Sequence, residues 1–192
     1  MPVDVWYPAT TAHAGEDFDP DKMAHYEMVP GLGENSQHAV MNAVAESGRF
    51  PLVVFSHGYG GERRQSTFFY THLASHGYVV AAMDHVGNTT IDMVSGQSTG
   101  NVEFMNRFIQ SRPVDASFVI DQMLAGAAEL EIDADRVGMS GHSFGGWTTL
   151  KTVETDTRIK AILPLAPAGG RAGDDENPLP STLSFDWQRT VP

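Results

Sequence analysis

Continuous apolar runs recur along the chain and predict strands that are buried on both faces. The four runs are "FPLVVFSHG" at 50–58, "YVVAAMD" at 78–84, "DRVGMSG" at 135–141 and "IKAILPLAP" at 159–167. Strands that are apolar on both sides are typical of a parallel sheet covered by helices. The β-prone segment "VDVWY" at 3–7 stops before Pro8 and predicts one more short strand.

Segments with helical spacing separate these runs. The apolar spacing of Val40 and Val44 predicts a helix over 35–47. Further helices are predicted over 62–76 and along "SFGGWTTLKTVET", which begins at Ser143. The segment "RPVDASFVIDQMLAGAAEL" has apolar side chains on one helical face and predicts an amphipathic helix with its proline in the first turn.

The remaining stretches, 9–33 and 87–111, are interrupted by glycine, proline or small polar residues and predict mainly loop. Strands therefore alternate with helices along the sequence. This order predicts the α/β class, with a mostly parallel central sheet and helices on both faces. Residues 1–192 are expected to belong to a single domain.

Composition narrows the classes of function. Acidic residues number 24 and basic residues 12, so the formal net charge of −12 disfavours nucleic acid and anionic membranes as partners. The absence of cysteine excludes disulfides, thiolate metal sites and a cysteine nucleophile. No apolar run approaches the roughly 20 residues of a membrane span. The start, "MPVDVWYPAT", lacks a signal-peptide pattern, and the compartment is left open.

A serine framed by glycines is the first candidate for chemistry. Gly141, His142, Ser143, Phe144 and Gly145 lie between a predicted buried strand and a predicted helix. A nucleophile elbow needs this context, because its tight turn leaves room only for small flanking residues. An incidental serine in a glycine-rich turn is the alternative, and the strand-to-helix placement favours a catalytic nucleophile.

A second glycine-rich turn follows the strand at 50–58. The stretch "HGYGG" begins at His57 and Gly58, and the backbone N–H of Tyr59 is predicted to share an oxyanion hole with the N–H of Phe144. A dinucleotide or phosphate loop is disfavoured, since the turn lacks the G-x-G-x-x-G spacing and a Walker lysine.

The histidines near these turns are expected to have structural roles. His57 is expected to orient the oxyanion loop, and His142 to pack or hydrogen-bond beside Ser143. His85, at a strand end, has no evident acid partner in the sequence. No cluster has metal-ligand spacing, and the acidic stretch "GEDFDPDK" lacks the EF-hand pattern, so no metal site is expected.

Four segments carry a family resemblance. They are "VDVWYP", "FPLVVFSHGYGGERRQ", "IDADRVGMSGHSFGGWTTL" and "IKAILPLAP". Together they resemble the α/β-hydrolase superfamily, and most of all its platelet-activating-factor acetylhydrolase-like branch, which grades into dienelactone-hydrolase-like esterases and cutinase-like polyester hydrolases. The resemblance implies a cofactor-free serine esterase that acts on short-chain, lipid-like or polyester substrates, with Ser143 as nucleophile and Tyr59 and Phe144 as oxyanion donors.

The sequence departs from this family after the serine. The family places an acid and then a histidine after later strands, but no histidine follows Ser143 here. Several aspartates do follow it, and none comes after a further predicted strand: Asp156, Asp174, Asp175 and Asp186. The expectation is a partial domain that lacks the strands of the acid and histidine. It is either a truncated domain or one segment of a nicked or split enzyme that a second polypeptide segment completes, and it is expected to be inactive or weakly active alone.

Two other functions stay open at this point. A peptidase or amidase could use the same serine turn on the same scaffold. A non-catalytic fragment or pseudoenzyme that binds a partner would account for the missing histidine.

Overall fold

The structure is a computed structural model that describes residues 1–96, 102–169 and 191. The strands, in chain order, are β1 (Val3–Trp6), β2 (Met23–Glu27), β3 (Glu34–Val40), β4 (Arg49–Ser56), β5 (Val79–Met83), β6 (Glu131–His142) and β7 (Ile159–Leu165). The α-helices are α1 (Thr67–Ser75), α2 (Thr90–Val94), α3 (Val102–Leu124) and α4 (Phe144–Val153), and two short 3-10 turns cover Thr11–His13 and Glu16–Phe18.

One sheet organises the molecule. Its strand order is β1-β5-β4-β6-β7, with β1 antiparallel to β5 and the other neighbours parallel. The predicted mostly parallel α/β sheet is therefore confirmed. The carboxyl ends of β4, β5, β6 and β7 lie at the same edge, so the turns that follow them meet there.

Helices cover both faces of this sheet. On one face, Leu52 and Val54 of β4 are fully buried in a cluster with Ile120 of α3. On the other face, Phe55 is fully buried against Tyr70 of α1, with ring centroids 4.9 Å apart. Each such apolar side chain contributes about 1.5–3 kcal/mol by leaving water. The alternation of faces along β4 follows from the two-residue period of a strand.

Residues 35–47 do not form the predicted helix. Its first part, up to Val40, is β3, which pairs antiparallel with β2 in a separate two-stranded sheet, so the loop predicted over 9–33 also contains a strand. The hairpin docks beside β1, where Trp6 donates its indole N–H to Gln37 at 2.8 Å. A positive φ of 54° at Asn42 lies beyond β3 and is incompatible with a continuous helix. Strand pairing here outweighs a weak helical spacing.

The loop predicted over 87–111 contains helical structure. Thr89 caps α2 by accepting from the N–H of Asp92, whose carboxylate accepts from Thr89 N–H in return. The next helix, α3, begins at residue 102 and includes Pro113 in its interior rather than in its first turn. Buried Phe108 supports this longer helix by packing on α4. Such tertiary contacts offset the hydrogen bond that a proline removes.

Candidate active site

Ser143 occupies a sharp turn between β6 and α4. Its backbone has φ 54° and ψ −114°, a combination that residues with a side chain rarely adopt. The turn is held by the chain that ends β7, since Ser143 N–H donates to Leu165 O at 2.9 Å and Ala168 N–H donates to Ser143 O at 2.8 Å. This conformation places the serine at the carboxyl edge of the sheet and at the N-terminus of α4.

The glycines around Ser143 are required by close backbone approach. A Cβ on Gly145 would lie 1.8 Å from the carbonyl oxygen of Ser56, and a Cβ on Gly141 would lie 2.4 Å from the backbone of Gly145. Real Cβ atoms do not come this close to backbone. The turn therefore fits against β4 only with glycine at both positions.

The loop after β4 is fixed by its own polar groups. Gly58 N–H donates to Gln65 Oε1 at 2.8 Å, and Gly61 N–H donates to Gly58 O at 3.1 Å. His57 Nδ1 donates to Gly58 O at 2.6 Å, while its Nε2 accepts from His85 N–H at 3.0 Å. Both ring nitrogens of His57 are thus used inside the fold.

The environment keeps His57 neutral. The ring is fully buried, and burial, followed by the positive charge of Arg112, lowers its pKa to about 3. The structure places His57 where the sequence expected an orienting residue. A buried, neutral ring with both nitrogens engaged cannot take a proton from Ser143.

Tyr59 and Phe144 lie next to each other across the two turns. Their ring centroids are 6.4 Å apart, and the Tyr59 side chain is 51% exposed. In the described part of the chain, neither backbone N–H donates a hydrogen bond to another protein group. Phe144 is also the first residue of α4, where helix N–H groups are free and the helix dipole is positive. The arrangement leaves two N–H groups available to an anion.

A buried arginine that the sequence analysis missed lies behind this site. Arg112 of α3 donates to Thr148 Oγ1 at 2.9 Å, to Asn88 Oδ1 at 2.7 Å and to Ser56 Oγ at 3.1 Å. It also donates to the carbonyl oxygen of His57. Its guanidinium carbon is 4.5 Å from the centre of the Phe144 ring.

A charge on an otherwise apolar helix face in the sequence could have identified Arg112. It lies three positions after Ile109 and four before Ala116, both buried, so it interrupts the apolar face of α3 with a charge. The side chain is fully buried, and burial lowers its pKa to about 9 while Asp115 opposes that shift. Placing residue 112 at the edge of a supposed loop concealed this pattern.

His85 does have an acid partner, contrary to the sequence-based expectation. Asp115 Oδ2 is 2.8 Å from His85 Nδ1, and Ser56 Oγ is 2.9 Å from His85 Nε2. Because the Asp115 carboxylate accepts from His85 Nδ1–H, the Nε2 of the neutral ring accepts from the Ser56 hydroxyl. Burial lowers the pKa of His85 well below its ordinary value, with smaller effects of Arg112 and His57 in the same direction. In this serine-histidine-aspartate array Ser56 and His85 are fully buried while Asp115 is partly exposed, and the array does not include Ser143.

Burial also affects the aspartate of this array. It raises the pKa of Asp115 to about 6, and the charge of Arg112 acts in the opposite direction. The sequence could not identify this partner, because Asp115 is 30 positions from His85 and meets it only when α3 packs against β5.

No histidine is positioned as a base for Ser143. All eight histidines of the sequence are among the described residues, and within that set none hydrogen-bonds to the Ser143 hydroxyl. His142 is exposed, and its Nδ1 accepts from Gln65 Nε2 at 3.1 Å. Asp156 binds Arg158, away from the serine, and the other aspartates considered lie outside the described residues: Asp174, Asp175 and Asp186.

Two further features, a cluster of metal ligands and a membrane-spanning helix, are absent from the described residues. Their histidine and carboxylate side chains do not gather in groups of three that could hold a metal ion. Their helices include none with both the length and the apolar character needed to cross a bilayer.

The chain is similar to platelet-activating factor acetylhydrolases and to cutinases over part of their length. Platelet-activating factor acetylhydrolase from Bos taurus is 27% identical over 193 residues, covering 80% of this chain and 44% of the relative. Cutinase est2 from Thermobifida alba is 32% identical over 122 residues, covering 64% of this chain and 36% of the relative. The chain thus spans less than half the length of these two relatives.

A solved structure is also similar to this chain. A ferulic acid esterase from Streptomyces cinnamoneus superposes with a TM-score of 0.69 at 26% sequence identity, over 92% of this chain and 55% of that chain. The sequence model of the PET hydrolase-like family matches residues 21–177. With most of the chain matched and the serine turn set on a mostly parallel sheet, this protein belongs to the PET hydrolase-like family of α/β-hydrolases.

Proposed function

We propose that this chain forms the nucleophile-bearing part of a carboxylic ester hydrolase, with Ser143 as the attacking residue. The observation that carries the proposal is the strained Ser143 turn beside two unpaired N–H groups, those of Tyr59 and Phe144. The relatives' names share the carboxylic ester as their substrate bond. The expected substrates are small-molecule, lipid-like or polyester esters.

The chemistry follows from the positions of these groups. Ser143 Oγ attacks the ester carbonyl carbon while its proton passes to a base. The Tyr59 and Phe144 N–H groups stabilise the negative oxygen of the tetrahedral intermediate. The base then protonates the departing alcohol, and water cleaves the acyl-serine in a second cycle of the same steps, which releases the acid.

We further propose that the base belongs to a segment outside the described residues. His57 and His85 are buried and hydrogen-bonded elsewhere, and His142 is held by Gln65. None of these three rings supports a role as general base. A second segment that brings a histidine and its acid to the exposed edge of Ser143 would complete a single domain with residues 1–192.

The proposal is tested by Ser143→Ala in the complete protein that carries this chain. Ester turnover and labelling by a fluorophosphonate are expected to fall by about 10⁴-fold or more. Ser140→Ala is the matched control, since Ser140 lies on the same strand and donates its hydroxyl to Leu163 O at 2.7 Å. Turnover that survives Ser143→Ala at the control's rate rejects the nucleophile. Cleavage of peptides in preference to esters points to a peptidase or amidase.

A further inference from the structure

We infer that Arg112 is a positioning residue for the oxyanion site, setting the relative placement of the Tyr59 and Phe144 N–H groups from behind. This inference rests on the proposed esterase function and names a residue outside the serine turn and the glycine-rich loop. Arg112 is separated from Ser143 in sequence and reaches the site only because α3 packs against β4 and α4.

The first support is that one side chain holds both walls of the site. The guanidinium donates to His57 O, which belongs to the peptide bond just before Gly58 and two residues ahead of Tyr59. The same group lies over the Phe144 ring and donates to Thr148 Oγ1, one turn further along α4. A displacement of either wall would break a contact with Arg112.

The second support is charge. Arg112 is fully buried, and the hydrogen bonds described for it all go to neutral oxygens: Thr148 Oγ1, Asn88 Oδ1, Ser56 Oγ and His57 O. A buried cation without a directly bonded carboxylate is unfavourable for folding alone. Its positive potential becomes favourable when negative charge develops on the substrate oxygen, in surroundings where water screens it poorly.

The third support is that Arg112 is itself held in one orientation. Asn88 and Ser56 accept from different nitrogens of its planar head. Ser56 is fixed in turn by His85, which binds Asp115. The buried polar array thus acts as a rigid support for the guanidinium, which gives a physical reason for its burial at this place.

The kinetic test compares Arg112→Met and Arg112→Lys in the complete protein, with activity expressed per titrated active site. Arg112→Met is expected to lower kcat by about 10²-fold and to change KM by less than about threefold, since an oxyanion contact is gained in the transition state. The kcat of Arg112→Lys should lie between those of the parent and Arg112→Met, because lysine keeps the charge and loses the forked geometry. Unchanged kcat per site in Arg112→Met overturns the inference.

The matched control is Arg158→Met. Arg158 joins α3 to the segment before β7 through Asp121, Asp156 and Ser117, away from the serine turn. The Arg158→Met substitution should lower the melting temperature and leave kcat per active site within about twofold of the parent. An equal fall of kcat in both variants shows a general structural effect and rejects positioning.

A second readout separates this inference from the proposed function. In the 192-residue chain, the amide NMR shifts of Tyr59 and Phe144 are expected to move together in Arg112→Met and Arg112→Lys, and to stay in place in Arg158→Met. If the complete protein shows no Ser143-dependent ester turnover, the proposed function fails, but the amide shifts still test whether Arg112 positions Tyr59 and Phe144. Amide shifts that move no more than in Arg158→Met overturn the positioning role of Arg112. If Arg112→Met does not fold, Arg112→Lys is measured in its place.

Discussion

Of the residues in the serine turn, Gly145 has the least room for a side chain. Its missing Cβ would lie 1.8 Å from Ser56 O, so Gly145→Ala forces the turn away from β4. We expect a loss of at least about 3 kcal/mol in unfolding free energy, at the upper end of overpacking effects. Urea denaturation measures it. Gly138→Ala is the control, because a Cβ there meets its nearest atom at 3.5 Å, and a similar loss in both variants contradicts the steric explanation.

Tyr59 is expected to act through its backbone. Tyr59→Phe keeps the N–H and should leave kcat within about threefold, whereas Tyr59→Pro removes the N–H and should lower kcat by about 10²-fold or more. The measurement is ester turnover per titrated active site. Equal damage from both changes assigns the role to the phenol instead.

Glu62 gives the protein a distinctive pH dependence. The residue is 4% exposed, and burial raises the pKa of its carboxyl to about 7, with Asp84 acting in the same direction. A raised pKa stabilises the fold most fully below pH 4.5, and this contribution is lost as the pH rises through 7. Glu62→Gln should therefore gain stability relative to the parent on going from pH 4.5 to pH 8, by roughly 3 kcal/mol.

Denaturation in urea at the two pH values measures the gain for Glu62→Gln. Glu46→Gln, at an exposed position, gives the baseline. A difference from the parent that is the same at both pH values contradicts the assignment of a raised pKa to Glu62.

At the scale of elements, α3 packs against both the hydrophobic core and the residues of the candidate active site. Its first half buries Phe108, whose ring centroid is 6.0 Å from that of Tyr59 and 6.1 Å from that of Phe144. Phe108→Ala should lower stability by about 3–5 kcal/mol and open space beneath both rings. We expect a shift in preference among acyl chain lengths, measured as the ratio of kcat/KM for short and long esters. Lost stability with an unchanged ratio shows that Phe108 only supports the helix.

The elements also show what sequence could and could not predict. Each of the four apolar runs became a parallel strand, as predicted. Burial on both faces holds for β5, whereas Lys160, Ala161 and Leu163 of β7 are exposed, so the prediction of burial was wrong for that strand. The helix predicted over 35–47 failed, since a valine spacing of four cannot reveal a hairpin held by Trp6 and Gln37. The start of α3 was missed because Pro113 suggested a first turn.

The residues of the candidate site also divide into those that the sequence predicted and those that it did not. Ser143, Tyr59 and Phe144 were proposed as site residues from local patterns, since each turn is encoded by adjacent residues. Arg112 and the Asp115–His85 pair were not predicted, because their partners lie 24 to 56 positions away and meet them only through packing between elements. Long-range polar contacts of this kind leave only an indirect trace, such as a charge on an apolar helix face.

At the scale of the whole molecule, the 192-residue chain alone is expected to be a poor catalyst. Within the described residues, no base is hydrogen-bonded to Ser143, so its hydroxyl stays protonated near neutral pH. Residual catalysis from the oxyanion site could reach about 10³-fold over water. Hydrolysis of an activated ester by the purified chain measures it. Full-speed, Ser143-dependent turnover by a homogeneous monomer contradicts the expectation and makes His142 the next base to test.

The parallel pairing of the sheet also determines how the protein assembles. Leu52 lies opposite Val137 although α1, β5, α2 and α3 come between them in the chain. Closing such long segments loses chain entropy before contacts form, so folding is expected over milliseconds to seconds rather than microseconds. Because Leu165 and Ala168 hold the Ser143 turn, we expect its strained backbone to form only once β7 has docked. The Ser143 turn is therefore expected to form among the last events of folding.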